Sequence, residues 1–172
     1  ATTTVAAPVL VFVQQPTNTN AGAAITPAVT IEVRDSTNAV ITNDNTTQIS
    51  LAIGTNPGGG TLTGGGAVTV VNGVATFNTL SIDQAGSGYT LDASSTGLTG
   101  DTSTPFNITA GAPAQLVFFQ QPPASGIAGL VLSPSIVVEI QDALGNTVPT
   151  AGTNITLAIG TNPSGGTLSG TL

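Results

Sequence analysis

Apolar and polar residues alternate along most of this chain. In AVTIEVRD, residues 28–35, Val29, Ile31 and Val33 fall on one side and Thr30, Glu32 and Arg34 on the other. That period of two predicts a half-buried β-strand whose apolar face lies on a core. SIVVEIQD, residues 135–142, repeats the pattern with Ile136, Val138 and Ile140 inward. Further strands are predicted over residues 9–14, 48–54, 61–63, 89–94 and 104–109, the last with Phe106 and Ile108 inward. VTVVNGVATF predicts a hairpin, with 67–71 and 74–77 as its arms and Asn72-Gly73 as a type I′ turn, because both central residues of that turn need φ > 0. Residues 17–24 read as a loop, 35–40 and 142–148 as turn-rich connections, and 80–89 as a connection crossing between sheets. No helical period occurs. Short strands at this spacing predict an all-β antiparallel sandwich.

The pattern repeats at domain scale. LAIGTNPGGGTLTG, residues 51–64, returns as LAIGTNPSGGTLSG at 157–170, with 12 of 14 positions identical at an offset of 106. LVFVQQP at 10–16 returns as LVFFQQP at 116–122 with the same offset. A period of 106 residues is far longer than a solenoid unit of roughly 20–50, so each repeat is expected to own its core. The organisation that follows is a linker over 1–8, a first repeat over 9–109, a linker over 110–115 containing Pro113, and the N-terminal part of a second repeat over 116–172. Leu172 aligns with Gly66, so counterparts of 67–109 are missing from the second repeat. The expectation is a window on a longer repetitive chain, in keeping with a start at Ala1 that has neither Met nor signal peptide. Strand donation by a different chain is the other account.

Composition narrows the function. The net charge is −7, with Arg34 the single cation. A nucleic-acid partner needs a basic patch, and an anionic membrane surface would repel the chain. No run approaches the ~20 apolar residues of a membrane span. No His, Cys or Lys is present, which removes the usual general base, the thiol nucleophile, Schiff-base chemistry and Lys–Asn isopeptide crosslinks. A carboxylate pair could support glycoside hydrolysis, but the acids are scattered and no aromatic platform for sugar exists. The expectation is therefore no enzyme and no cofactor.

The order of a VxD-turn-V element, LAIGTNPGGGTL, NGVATF, AGSGYTLDAS and PFNIT resembles the bacterial immunoglobulin-like (Big-type) tandem repeats of large surface proteins, including invasin- and intimin-type adhesins. The likeness covers essentially the whole chain. It implies an immunoglobulin-like sandwich in an extracellular prokaryotic surface protein, acting as a stalk, spacer or building block of an adhesive fibre or filament. Its partners would be neighbouring repeats or other fibre subunits. Asp83, Ala85, Gly86 and Tyr89 resemble a tyrosine corner, so Tyr89 is expected to be buried with its hydroxyl bonded to backbone near Asp83.

The alternative is a binding module for calcium or a cell-surface glycan. Related surface repeats often bind Ca²⁺ between domains, and hard cations take carboxylate oxygens. Glu32 and Asp35 share repeat positions with Glu139 and Asp142, which makes these four the calcium candidates. The competing reading is that each Asp caps a turn and that Glu32 lies beside Arg34. The Gly-rich TNPGGG loop lacks the Lys and helix of a phosphate loop and reads as a turn. N-x-T sequons start at Asn45, Asn107 and Asn154.

Overall fold

The computed structural model describes residues 7–150 and 152–170. Residues 1–6, which include most of the predicted linker 1–8, and Leu172 lie outside the described residues. The fold is all-β and sandwich-like, with no helix among the described residues; none is therefore long and apolar enough to cross a membrane.

Residues 9–109 hold the core. Strands β1 (Val9–Gln14), β3 (Val29–Arg34) and β7 (Val74–Phe77) form one antiparallel sheet in the order β1-β3-β7. A second sheet contains β4 (Gln48–Ile53), β6 (Val68–Thr69), β10 (Leu91–Ser94) and β11 (Asp101–Thr102), ordered β11-β10-β4-β6. β2 (Thr19–Asn20), β9 (Gly86–Tyr89) and β12 (Phe106–Thr109) make a third, and β5 (Leu62–Thr63) pairs with β8 (Ser81–Ile82). One apolar cluster joins Leu10, Phe12, Val29, Ile31 and Val33 to Ile49, Leu51, Tyr89, Leu91, Phe106 and Ile108. The alternation in β3 explains its half of that cluster: Val29, Ile31 and Val33 are buried, while Thr30, Glu32 and Arg34 are half-exposed.

Several elements differ from the sequence reading. The hairpin over 67–77 closes with a single bridge, Val71 to Val74. Its arms then part, β6 to pair with β4 and β7 with β3. The turn itself has φ of 51° at Asn72 and 79° at Gly73. The arms separate because Val70 and Ala75 are both buried in the space between the sheets, so the turn links two layers and does not extend one. The strand expected over 89–94 is two strands, β9 and β10, separated at Thr90; Gly88, at φ 88°, falls at the irregularity in the register of β9 with β12. β9 pairs with β12 and β10 with β4. The loop 17–24 contains β2, which runs parallel to β12. It is only two residues long, and its pairing partner lies about 90 residues away, which no local pattern encodes.

In the second unit, β13 (Gln115–Gln120) and β14 (Val137–Gln141) pair as β1 and β3 do. Leu10 faces Val33 and Phe12 faces Ile31; Leu116 faces Ile140 and Phe118 faces Val138. Both ladders slip at the same place, after Phe12 and after Phe118. Residues 154–159, the counterpart of β4, form no strand.

Candidate functional site

The chain's most concentrated polar burial lies where the two units meet. Asp142 directly follows β14 and opens the turn DALGN. Its Oδ1 accepts from the N–H of Leu144 (2.9 Å) and of Asn146 (2.9 Å), the pattern of an Asx turn. Gly145 takes φ 86° to complete that turn. Asp142 Oδ2 accepts from the N–H of Gly111 in the linker (2.8 Å) and from Asn146 Nδ2 (3.0 Å). The carboxylate is 2% exposed. Burial alone would raise its pKa, but the donors, led by the Gly111 N–H, outweigh burial and lower it from 3.8 to about 2.

Asn146, 5% exposed, carries the bond network across the junction. Its Oδ1 accepts from the N–H of Ala85 (2.7 Å), and its Nδ2 donates to the carbonyl of Asp83 (3.0 Å). One amide thus satisfies a donor and an acceptor on the same three residues of the first unit. That segment is fixed from two further sides. Tyr89, fully buried, donates its hydroxyl to Gln84 O (2.9 Å), and burial pushes the pKa of that hydroxyl up. Asp83 Oδ1 accepts from the N–H of Thr61 (2.7 Å). Beside this clasp, Leu144 lies over Gly22: a Cβ on that glycine would come 2.9 Å from Leu144 Cδ1.

The first unit builds the same turn without the clasp. Asp35 Oδ1 accepts from Thr37 Oγ1 (2.7 Å) and from the N–H groups of Thr37 (2.8 Å) and Ala39 (3.0 Å). Those bonds, the Thr37 hydroxyl first, lower its pKa. Asn38 takes φ 67° where the second unit has Gly145. Ala39 stands where Asn146 stands, so this turn has no side chain with which to bridge.

The four calcium candidates are dispersed into these local arrangements. Glu32 pairs with Arg34 (2.7 Å). Glu139 accepts from Gln141 Nε2 (3.2 Å) and Thr147 Oγ1 (3.1 Å), so an amide replaces the guanidinium. Among the described residues no group of three acidic side chains converges where a cation could sit. Asn72 and Gly73 lie at the inter-sheet turn, where Gly73 N–H donates to Asp44 O (2.8 Å) and Asn72 N–H to Asn45 Oδ1 (2.9 Å). The other sequon asparagines differ: Asn107 Oδ1 accepts from Ser87 Oγ and Gly88 N–H, and Asn154 is exposed.

Sequence reasoning missed Asn146 and its contacts with Asp83 and Ala85. The one available signal was the replacement of Ala39 by Asn146 at matching positions of two otherwise similar turns. No protein-family model matches the chain, and none of the curated proteins compared with it matches.

Proposed function

We propose that the chain is a non-catalytic structural segment of an extracellular prokaryotic surface protein. Its immunoglobulin-like sandwich units are joined by a stiff polar clasp and serve as stalk, spacer or building block of an adhesive fibre. The observation that carries this reading is the buried Asp142–Asn146 pair, which ties the linker at Gly111 and the first unit at Asp83 and Ala85 to one turn of the second. A joint meant to flex would leave these backbone groups to water. A buried network with every partner in place instead rigidifies its surroundings. The near-absence of cations suits an exposed segment, since trypsin-type cleavage has only Arg34 to act on.

The test is the distribution of distances between spin labels placed on the two units through engineered cysteines. The unaltered joint should give one narrow distribution. Asn146→Ala, which copies the first unit's Ala39, should broaden it while the melting temperature of the first unit stays put. An equally broad distribution before and after the substitution would remove the mechanical reading. Calcium separates the binding-module alternative: no shift in melting temperature on adding Ca²⁺ is expected, and a large rise would favour that alternative.

A further inference from the structure

The first unit closes along a seam between its own first and last segments. Residues 8–21 run parallel to residues 99–109. At one end Leu10 N–H donates to Thr99 O (2.9 Å), Thr99 N–H donates to Pro8 O (3.2 Å), and Val9 bridges Thr99 in parallel. At the other end β2 pairs parallel with β12, and Ala21 N–H donates to Thr109 O (2.8 Å).

Between those ends, side-chain oxygens stand in for strand carbonyls. Phe12 N–H donates to Asp101 Oδ2 (2.9 Å), Thr104 N–H to Gln15 Oε1 (2.9 Å) and Asn107 N–H to Asn18 Oδ1 (2.7 Å). Each of these three rungs joins residues 89 apart, so the seam keeps one register from end to end. The sequence explains why side chains are needed. β1 lies at the edge of its sheet, where N–H groups lack a neighbouring strand. After Gln14 the chain leaves that sheet and crosses to the one holding β12, and Pro16 in the crossing has no N–H for a ladder. Carboxylate and amide groups reach where the two backbones do not pair.

The chain enters this unit at Val9 and leaves it at Thr109. Because the two segments are parallel, these points lie at opposite ends of the seam. Tension along the chain therefore draws residues 8–21 one way and residues 99–109 the other, and the segments separate only by sliding. Sliding strains the rungs together, whereas pulling both segments from one end breaks them one after another. Forced unfolding follows the unfolding rate and so the barrier. We propose that this seam is the force-resisting lock of the first unit, with Asp101, Gln15 and Asn18 as its side-chain rungs. Its use in a fibre rests on the stalk reading above; its mechanics do not.

The experiment measures unfolding of the full 172-residue chain at constant force between pairs of engineered cysteines, since the chain has none of its own. Ala7→Cys with Ala110→Cys pulls the unit end to end, and tension leaves before Gly111 and the clasp. Ala7→Cys with Thr96→Cys pulls both segments from the same end. At equal force the end-to-end pair should unfold at least ~10-fold more slowly, the equivalent of one or two ordinary hydrogen bonds at the barrier. Gln15→Ala with Asn18→Ala should remove most of that difference by speeding the end-to-end pull alone. Gln15→Glu with Asn18→Asp keeps an acceptor oxygen at each rung and should preserve the difference. Equal rates in the two directions for the unaltered rungs overturn the proposal. So does equal acceleration in both directions by the alanine pair, which would make the rungs general contributors to stability. Should the alanine pair fail to fold, the two-direction comparison and the Glu/Asp pair decide. A narrow spin-label distribution between the units without a directional difference would sink the lock and leave the stalk reading standing.

Discussion

Ala39 and Asn146 occupy the same place in the same kind of turn, and the exchange of a methyl for an amide decides which turn grips a neighbour. The amide is effective because its carbonyl and NH₂ reach a backbone donor and acceptor two residues apart, Ala85 N–H and Asp83 O. Tyr89 acts on the same segment from within. Its ring stands 6.1 Å from that of Phe106, and its hydroxyl donates to Gln84 O. Tyr89→Phe should therefore cost about 0.5–1.5 kcal/mol, the net worth of an ordinary hydrogen bond, measured as a shift in denaturation midpoint. A larger loss would mean that the hydroxyl also holds the neighbouring Gly58–Gly60 loop. The possibility of a capped turn at Asp142 was legible from DALGN, because an Asx turn is made within five residues. The clasp was not, because its partners lie about 60 residues upstream.

Among the elements, the Asn72-Gly73 turn does more than reverse the chain. It carries the polypeptide from the β4 sheet to the β3 sheet, and Gly73 meets both Asp44 O and Val33 N–H. Asn72→Pro forces φ from 51° to near −65° and deletes the bond to Asn45. We expect a loss of about 1–3 kcal/mol, the usual cost of a strained backbone residue, read from chemical denaturation; an unchanged midpoint would show that the turn can be rebuilt without its positive φ. The two LAIGTNP segments make a second comparison. Residues 51–53 belong to β4 and pair with β10, whereas 157–159 have no strand partner. Amide exchange at Leu51 and Gly54, whose N–H groups donate to Gly65 O and Thr90 O, should accordingly be slower than at Leu157 and Gly160 by orders of magnitude. Equal rates at the matched positions would show that the sequence alone holds the extended form.

For the whole molecule, acid should loosen the joint before it unfolds the first unit. Asp142 has a folded pKa of about 2, below its ordinary 3.8. Stability from a depressed carboxylate is present above the ordinary value and is lost as pH falls through the folded one. Between about pH 4 and pH 2 the bonds to Gly111 and Asn146 should weaken, and the distance distribution between the units should broaden. Asp35 and Asp44 are also held below their ordinary values, chiefly by the Thr37 and Thr47 side chains. The first unit therefore loses some stability over the same range, but its buried apolar cluster does not titrate. Broadening that coincides with global unfolding, followed by circular dichroism on the same samples, would contradict this order of events.

The TNP loop separates what the chain encodes locally from what it leaves to tertiary contacts. Asn56 bonds Gly60 through both amide atoms (2.8 and 2.9 Å), and Asn162 bonds Gly166 the same way (2.7 and 2.7 Å). Gly59 and Gly165 take φ of 68° and 66°. One loop lies beside a filled core and the other beside an open groove, yet their form is the same, because each bond spans only four residues. The Asp35 and Asp142 turns follow the same rule, and so does the positive φ of Asn72-Gly73. The preceding Leu-Ala-Ile behaves oppositely: it is strand in one unit and not in the other, though the residues are identical. A strand's backbone groups are satisfied by other strands, and its apolar side chains are buried by another sheet. Sequence by itself therefore determined the turns and the inward faces. The choice of sheet for β6 and β7, the break at Thr90 and the clasp at Asn146 were decided only when residues tens of positions apart came together.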